Sequence, residues 1–355
     1  MSIRKKMTGA LLAAILTVSA AIPVFAHDGW SQTNAPIVAP GQVSYVELML
    51  GNHSNEHKSY RIAGQWSTDT SKVFVTTPGG VKSDITGTRF YTGEEATETE
   101  PAVNNYFVAS FKSNTPGAYI VSVEGDSVFN HGGVGSRTLR SAKSFVAVSD
   151  IPVIERVKAL QGFSKEVSPD RAELIPLFNP AAVTAGEEVS IQLLLKGEPL
   201  ADTHVDVIRR SNSEPTELVT DKNGTVTFKT GAADYYLVRA KPATKEAKEG
   251  EYDQTSYEAT MTFTVQNESP KLPGKPSSNA PHVYVDGIAV AQDEAVKVEK
   301  GVTKASADFI RDNIDPNYAS QEAGALRAIA EAAGATVEYF PAVGESRAAV
   351  AIYTK

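Results

Sequence analysis

The residue best placed to do chemistry in this 355-residue chain is His27, because the 26 residues before it have the pattern of a segment that is cut off. Arg4, Lys5 and Lys6 form a positive start, GALLAAILTVSAAI (9 to 22) forms an apolar run, and Val24 and Ala26 place small residues at −3 and −1 of a cleavage site. Removal of residues 1–26 leaves HDGW as the mature start. A terminal histidine presents a free α-amine beside an imidazole, a nitrogen pair that can chelate one transition metal ion. Two further histidines, His53 and His57, lie four apart in GNHSNEHKSY, a polar segment that aligns both rings only if it is helical. His131 sits in FNHGGVGS, where glycines permit close approach of a ligand and equally mark a turn. The candidate metal ligands are therefore His27, His53, His57 and His131, and the implied cofactor is a divalent transition metal ion. His204 and His282, at a strand start and a linker end, read as incidental.

Catalytic readings fare worse. GGVGS does not join a strand to a helix as a phosphate loop must. No acidic pair stands apart from solvated surface charge, and no cysteine exists to serve as nucleophile, thiolate ligand or disulfide. The chain reads as a binding protein and not as an enzyme.

The elements that would position these residues are mostly strands. In VSYVELML (43 to 50), Val46, Leu48 and Leu50 share one face with period two. Strands are expected at 60–66, 71–77, 104–111, 117–124 and 142–148, the spacing of a β-sandwich over 27–149. A connection with Pro152, Pro169 and Pro176 and a helical candidate at 153–162 fills 150–177. A second, immunoglobulin-like sandwich follows over 178–266. There EEVSIQLLL alternates and DKNG makes a hairpin turn. In SYEATMTFTV, Tyr257, Ala259, Met261, Phe263 and Val265 face one way and Glu258, Thr260, Thr262 and Thr264 the other. QNESPKLPGKPSSNAP (266 to 281) contains four Pro and no apolar period, and the Pro-rich linker is placed at 267–281. Residues 282–355 read as a small α+β module with a hairpin at 283–290, an amphipathic helix at 321–333 stopped by Gly334, and two strands in ATVEYF and AAVAIY.

Composition sets limits on partners. Without its leader the chain carries 31 basic and 42 acidic residues, a net charge of −11, which argues against nucleic acid, whose binding depends on neutralising phosphates. No later stretch has 18 successive apolar residues, so no membrane span is expected after cleavage.

Residues 26 to about 265 resemble a bacterial periplasmic family of unknown function associated with cobalt and nickel uptake. The similarity rests on AHDGW, APGQVSYVELMLGNH (39 to 53), ELIPLFNPAAVTAGEEVSIQLLLKGEPLADTHVDVIRR (173 to 210), TDKNGTVTFKT (220 to 230) and YDQTSYEATMTFTV (252 to 265). It implies an exported, non-enzymatic protein associated with nickel, cobalt or copper, with His27 and His53 inside the matching segments and a membrane metal transporter as partner. The tail, GALRAIAEAAGATVEYFPAVGESRAAVAIYTK, is similar to the stalk domain named after the N-terminal domain of copper amine oxidases, although GALR replaces a usual Pro-containing sequence. That resemblance implies a spacer or attachment role, and the pair implies secretion to the cell surface or wall zone of a Gram-positive bacterium. The expected function is metal uptake or delivery. The alternative is a cell-surface structural or interaction protein that binds polysaccharide, protein or a cell-wall component, its histidines being incidental. A copper enzyme using the terminal histidine as a brace is a third reading that the resemblance does not favour.

Overall fold

Alternation at Val46 and Leu48 builds the strand Val43–Asn52, in which both side chains are buried, as period two requires of a strand with one covered face. In the computed structural model, which describes residues 28–52, 61–64, 66–94, 98, 103–131, 133–290 and 294–354, this strand is the middle of an outer sheet. Asp28–Gln32 pairs along one edge and Val103–Lys112 along the other, with Phe90–Glu94 beyond and Arg61–Gly64 at the far end. The molecule is mainly β, two immunoglobulin-like sandwiches followed by a small α+β unit.

The two sandwiches share one sheet. Val134–Val148 pairs antiparallel with Gly117–His131 on the first-sandwich side and parallel with Gln254–Gln266 on the other, from Ser136 opposite Gln254 to Lys143 opposite Met261. The result is an eleven-stranded central sheet running from Pro215–Val219 to Lys82–Asp84. On one face the outer sheet covers it, burying Val46, Leu48 and Ala109 against Val73, Val121, Val123, Ala142 and Val146. On the other face lies a third sheet built on Glu188–Leu195, which buries Val189, Ile191 and Leu193 against Tyr257, Ala259 and Met261. The expected connection at 150–177 is partly structural. Ala172–Pro176 is the edge strand of the third sheet, and the helical candidate is a single turn, Ile154–Val157.

The tail departs most from expectation. No helix or strand lies between Gln266 and His282, in keeping with the Pro-rich composition, but the chain beyond returns to the body. The strand Ala349–Tyr353 is buried on both faces. Val350 and Ile352 pack with Leu326, Phe309 and Ile310, while Ala349, Ala351 and Tyr353, with Phe340, join Ala118, Ile120, Phe145 and Phe163 in the main core. Arg156, fully buried, donates from one guanidinium nitrogen to the carbonyls of Pro341 and Arg347 at 2.6 Å each. Glu338, also buried, accepts from the backbone N–H groups of Gln161 and Gly162 at 2.9 and 2.7 Å. A detached spacer makes no such bonds. The linker's composition describes only the linker, and apolar residues on alternate faces of its last strand decide where the tail goes. The tail helix is Leu326–Ala332, shorter than 321–333 because Gly324–Ala325 pairs as a strand, and a second helix, Ala307–Asn313, is capped by Ser306 Oγ accepting from Phe309 N–H.

Candidate functional site

The predicted metal ligands are not brought together by anything described. His27, His53 and His57 lie outside the described residues, and His131 ends the strand Gly117–His131 with its side chain outside them. Among the described residues no group of three His, Asp or Glu could hold a metal ion.

What the structure does define is the seat of the first described strand, Asp28–Gln32. All five residues of Asp28–Gln32 are buried. Gly29 and Ser31 face the central sheet, where Thr260 Oγ1 donates to Gly29 O at 2.7 Å and Thr262 Oγ1 to Ser31 O at 2.6 Å. The polar face of SYEATMTFTV is thus an interface, its hydroxyls satisfying carbonyls that strand pairing leaves over. Gly29 is required here because a Cβ would stand 2.4 Å from the Trp66 ring. On the opposite face Trp30 is enclosed with Met49 against Ile208 and Leu237 of the second sandwich.

Asp28 finishes the strand electrostatically. Its carboxylate, fully buried, pairs with Arg239 and, at 2.5 Å, with Lys241, and Arg239 Nε also holds Asp206 at 2.8 Å. Burial opposes the charge on Arg239, but Asp28 and Asp206 outweigh it and its pKa is raised. Asp206 and His204 project from one face of His204–Arg209, and Arg239 lies opposite Asp206 in the register. Beside this cluster opens a cleft of about 440 Å³, lined by Asp202, His204, Asp206, Arg239 and Lys241 over a floor that includes Leu195 and Leu200. Sequence reasoning noticed HDGW for its histidine and overlooked the aspartate. Its signal in the sequence is only an acid next to His27, with its cations more than 200 residues away.

A second feature lies on the solvent side of the outer sheet. Val43, Tyr45 and Phe90 project from the same face and are 39%, 55% and 48% exposed. Phe90 stands opposite Val108 and Tyr45 opposite Ser110 on the strand between them.

Residues 24–244, more than half of the chain, match a domain of unknown function, DUF4198. The chain belongs to the DUF4198 family. No curated protein matches it. Among solved structures this DUF4198 member is similar to the D0–D1 domain of intimin, at 11% identity and TM-score 0.17 over 66% of this chain and 96% of that one. It is also similar to a Ca²⁺-stabilized ice-binding adhesin of an Antarctic bacterium, at 11% identity and TM-score 0.21 over 93% and 75% of the two chains. A third likeness is to the Escherichia coli adhesin FdeC, at 12% and 0.18 over 74% and 71%. At scores this low the likenesses say nothing about ligands.

Proposed function

We propose that this DUF4198 member is an exported, non-catalytic cell-surface protein that binds polysaccharide or protein through the outer face of its first sandwich. The observation that carries the reading is the exposed group Val43, Tyr45 and Phe90 on one sheet face, on a body that the shared central sheet makes stiff. Flat aromatic side chains lose little conformational freedom on binding, which suits them to a planar partner such as a sugar ring or an apolar protein patch. Among the described residues no helix is long and apolar enough to cross a membrane. Retention at the surface or wall zone of a Gram-positive bacterium would then depend on what this face holds. Binding of mature protein to isolated wall polysaccharide and to surface-protein extracts tests the reading. A Tyr45→Ala/Phe90→Ala variant should fold normally and lose the binding, and retained binding would refute the assignment.

A second reading, metal uptake or delivery with a membrane transporter as partner, is favoured by the clamp on Asp28. That clamp sets the start of the described chain beside a cleft that Asp202 and His204 line. The described residues do not by themselves fit a metal, since Asp206 is committed to Arg239. A nickel, cobalt or copper site would therefore need the amine and imidazole of a processed His27, with His53, His57 or His131 as further ligands. Calorimetry with protein beginning at His27 and with protein carrying one extra alanine before it decides this reading, and equal affinities would sink it.

A further inference from the structure

Lys143 and Glu173 meet where the central and third sheets face each other, and the proposed surface role makes no use of them. Lys143 is held in the middle of the central sheet, opposite Ser122 on one side and Met261 on the other. Glu173 is held in Ala172–Pro176, opposite Leu194. Both side chains are 1% exposed, and Nζ lies 2.9 Å from Oε1. Ser141 Oγ donates to the carbonyl of Ala172 at 2.5 Å, which ties the two strands together beside the pair. The backbone N–H of Val167 donates to both carboxylate oxygens, at 3.2 and 3.1 Å. The ammonium also reaches the carbonyl of Lys165 at 3.3 Å.

Burying both charges of an ion pair is costly, and in a dry interior the neutral amine and neutral carboxylic acid compete with the ionised pair. Burial pushes the Lys143 pKa down against the opposing pull of Glu173, which makes the free amine more accessible. A free amine held against a carboxyl group, with an N–H already directed at the carboxyl oxygens and with water excluded, has the parts of an acyl-transfer site.

We propose that Lys143 and Glu173 are joined by a side-chain amide in the mature protein. Proton transfer from the ammonium to the carboxylate gives the neutral pair. Nζ then attacks Cδ, and the Val167 N–H stabilises the oxygen that gains charge. Nitrogen gives up a proton to the departing hydroxyl, so an Nζ–Cδ bond forms, a Cδ–O bond breaks and one water leaves. No oxidant or other reactant is needed. The product fastens the first sandwich's last strand to the second sandwich's first and removes both charges of this pair from the interior.

Intact mass of the denatured mature protein, with its first residue fixed by terminal sequencing, tests this directly. The wild type should weigh one water, about 18 Da, less than the linear chain, as condensation requires. Proteolysis should yield a branched peptide joining the segments that contain Lys143 and Glu173. Lys143→Arg keeps a cation opposite Glu173 but offers no condensing amine, so it should fold and have the full linear mass. A wild type at the linear mass overturns the proposal, as does a water loss that persists in Lys143→Arg or maps to other residues.

Discussion

Replacing Arg156 with Met tests whether the tail is part of the main core. Methionine approximates the length and apolar stem of arginine and removes every donor. In the wild type one guanidinium nitrogen supplies bonds of 2.6 Å to the carbonyls of Pro341 and Arg347, and the other nitrogens pair with Asp150. The side chain of Asp150 is 47% exposed, so water can replace its partner and its loss costs little. The two carbonyls lie at the junction with the tail. Pro341 and Arg347 are half-buried, so water can meet part of the demand; at the low end of the cost of an unmet acceptor, the pair predicts a loss of roughly 1–3 kcal/mol. Denaturant unfolding of wild-type and Arg156→Met proteins measures it, with one transition followed both by tail tyrosines and by the core tryptophans Trp30 and Trp66. Hydrogen exchange should quicken in Ala349–Tyr353 and in Gly117–His131 together, because Tyr353 and Ile120 belong to one cluster. A loss below about 1 kcal/mol would contradict the expected cost of the unmet carbonyls. A tail that melted separately from an unaffected body would restore the independent spacer.

Thr260→Val and Thr262→Val each remove a hydroxyl that bonds the N-terminal strand, and each should cost about 1 kcal/mol and raise protease sensitivity around Asp28–Gln32. An unchanged cleavage rate in the double variant would show that strand pairing with Val43–Asn52 holds the segment alone. Glu338 has a pKa raised by burial, despite the N–H groups of Gln161 and Gly162 that favour its charged form. A raised folded pKa means the folded state binds more protons, so this group's stability is fully present below the unfolded value of 4.5 and is lost as pH rises through the folded value. Stability of the wild type relative to Glu338→Gln should therefore decline from pH 4.5 toward neutrality, and a relative gain over that range would refute the sign.

Much of the strand content was legible because burial on one face writes itself into a chain as period two. Val43–Asn52 and Glu188–Leu195 follow that rule, whereas the final strand, Ala349–Tyr353, is apolar throughout and buried on both faces. The helix at 326–332 and the turn at Asn223 and Gly224 were legible for similar local reasons, an apolar stripe and a dipeptide tolerant of positive φ. The candidate site was much less so. The histidines singled out by type lie largely outside the described residues, whereas the clamp on Asp28 joins residues more than 200 positions apart and no spacing rule reaches across that distance.

By itself the sequence determined where several strands lie, though not how far they run, and that residues 267–281 form neither helix nor strand, since each depends on neighbours a few residues away. Tertiary structure alone decided which faces meet. Parallel pairing of Val134–Val148 with Gln254–Gln266 merges two sandwiches into one sheet, and the threonine face of the latter becomes the seat of the strand Asp28–Gln32. The tail, whose linker suggests independence, is drawn into the core because its last strand is apolar on both sides. A residue's own chemistry says whether it can be buried, but the partner that buries it comes from the remainder of the chain.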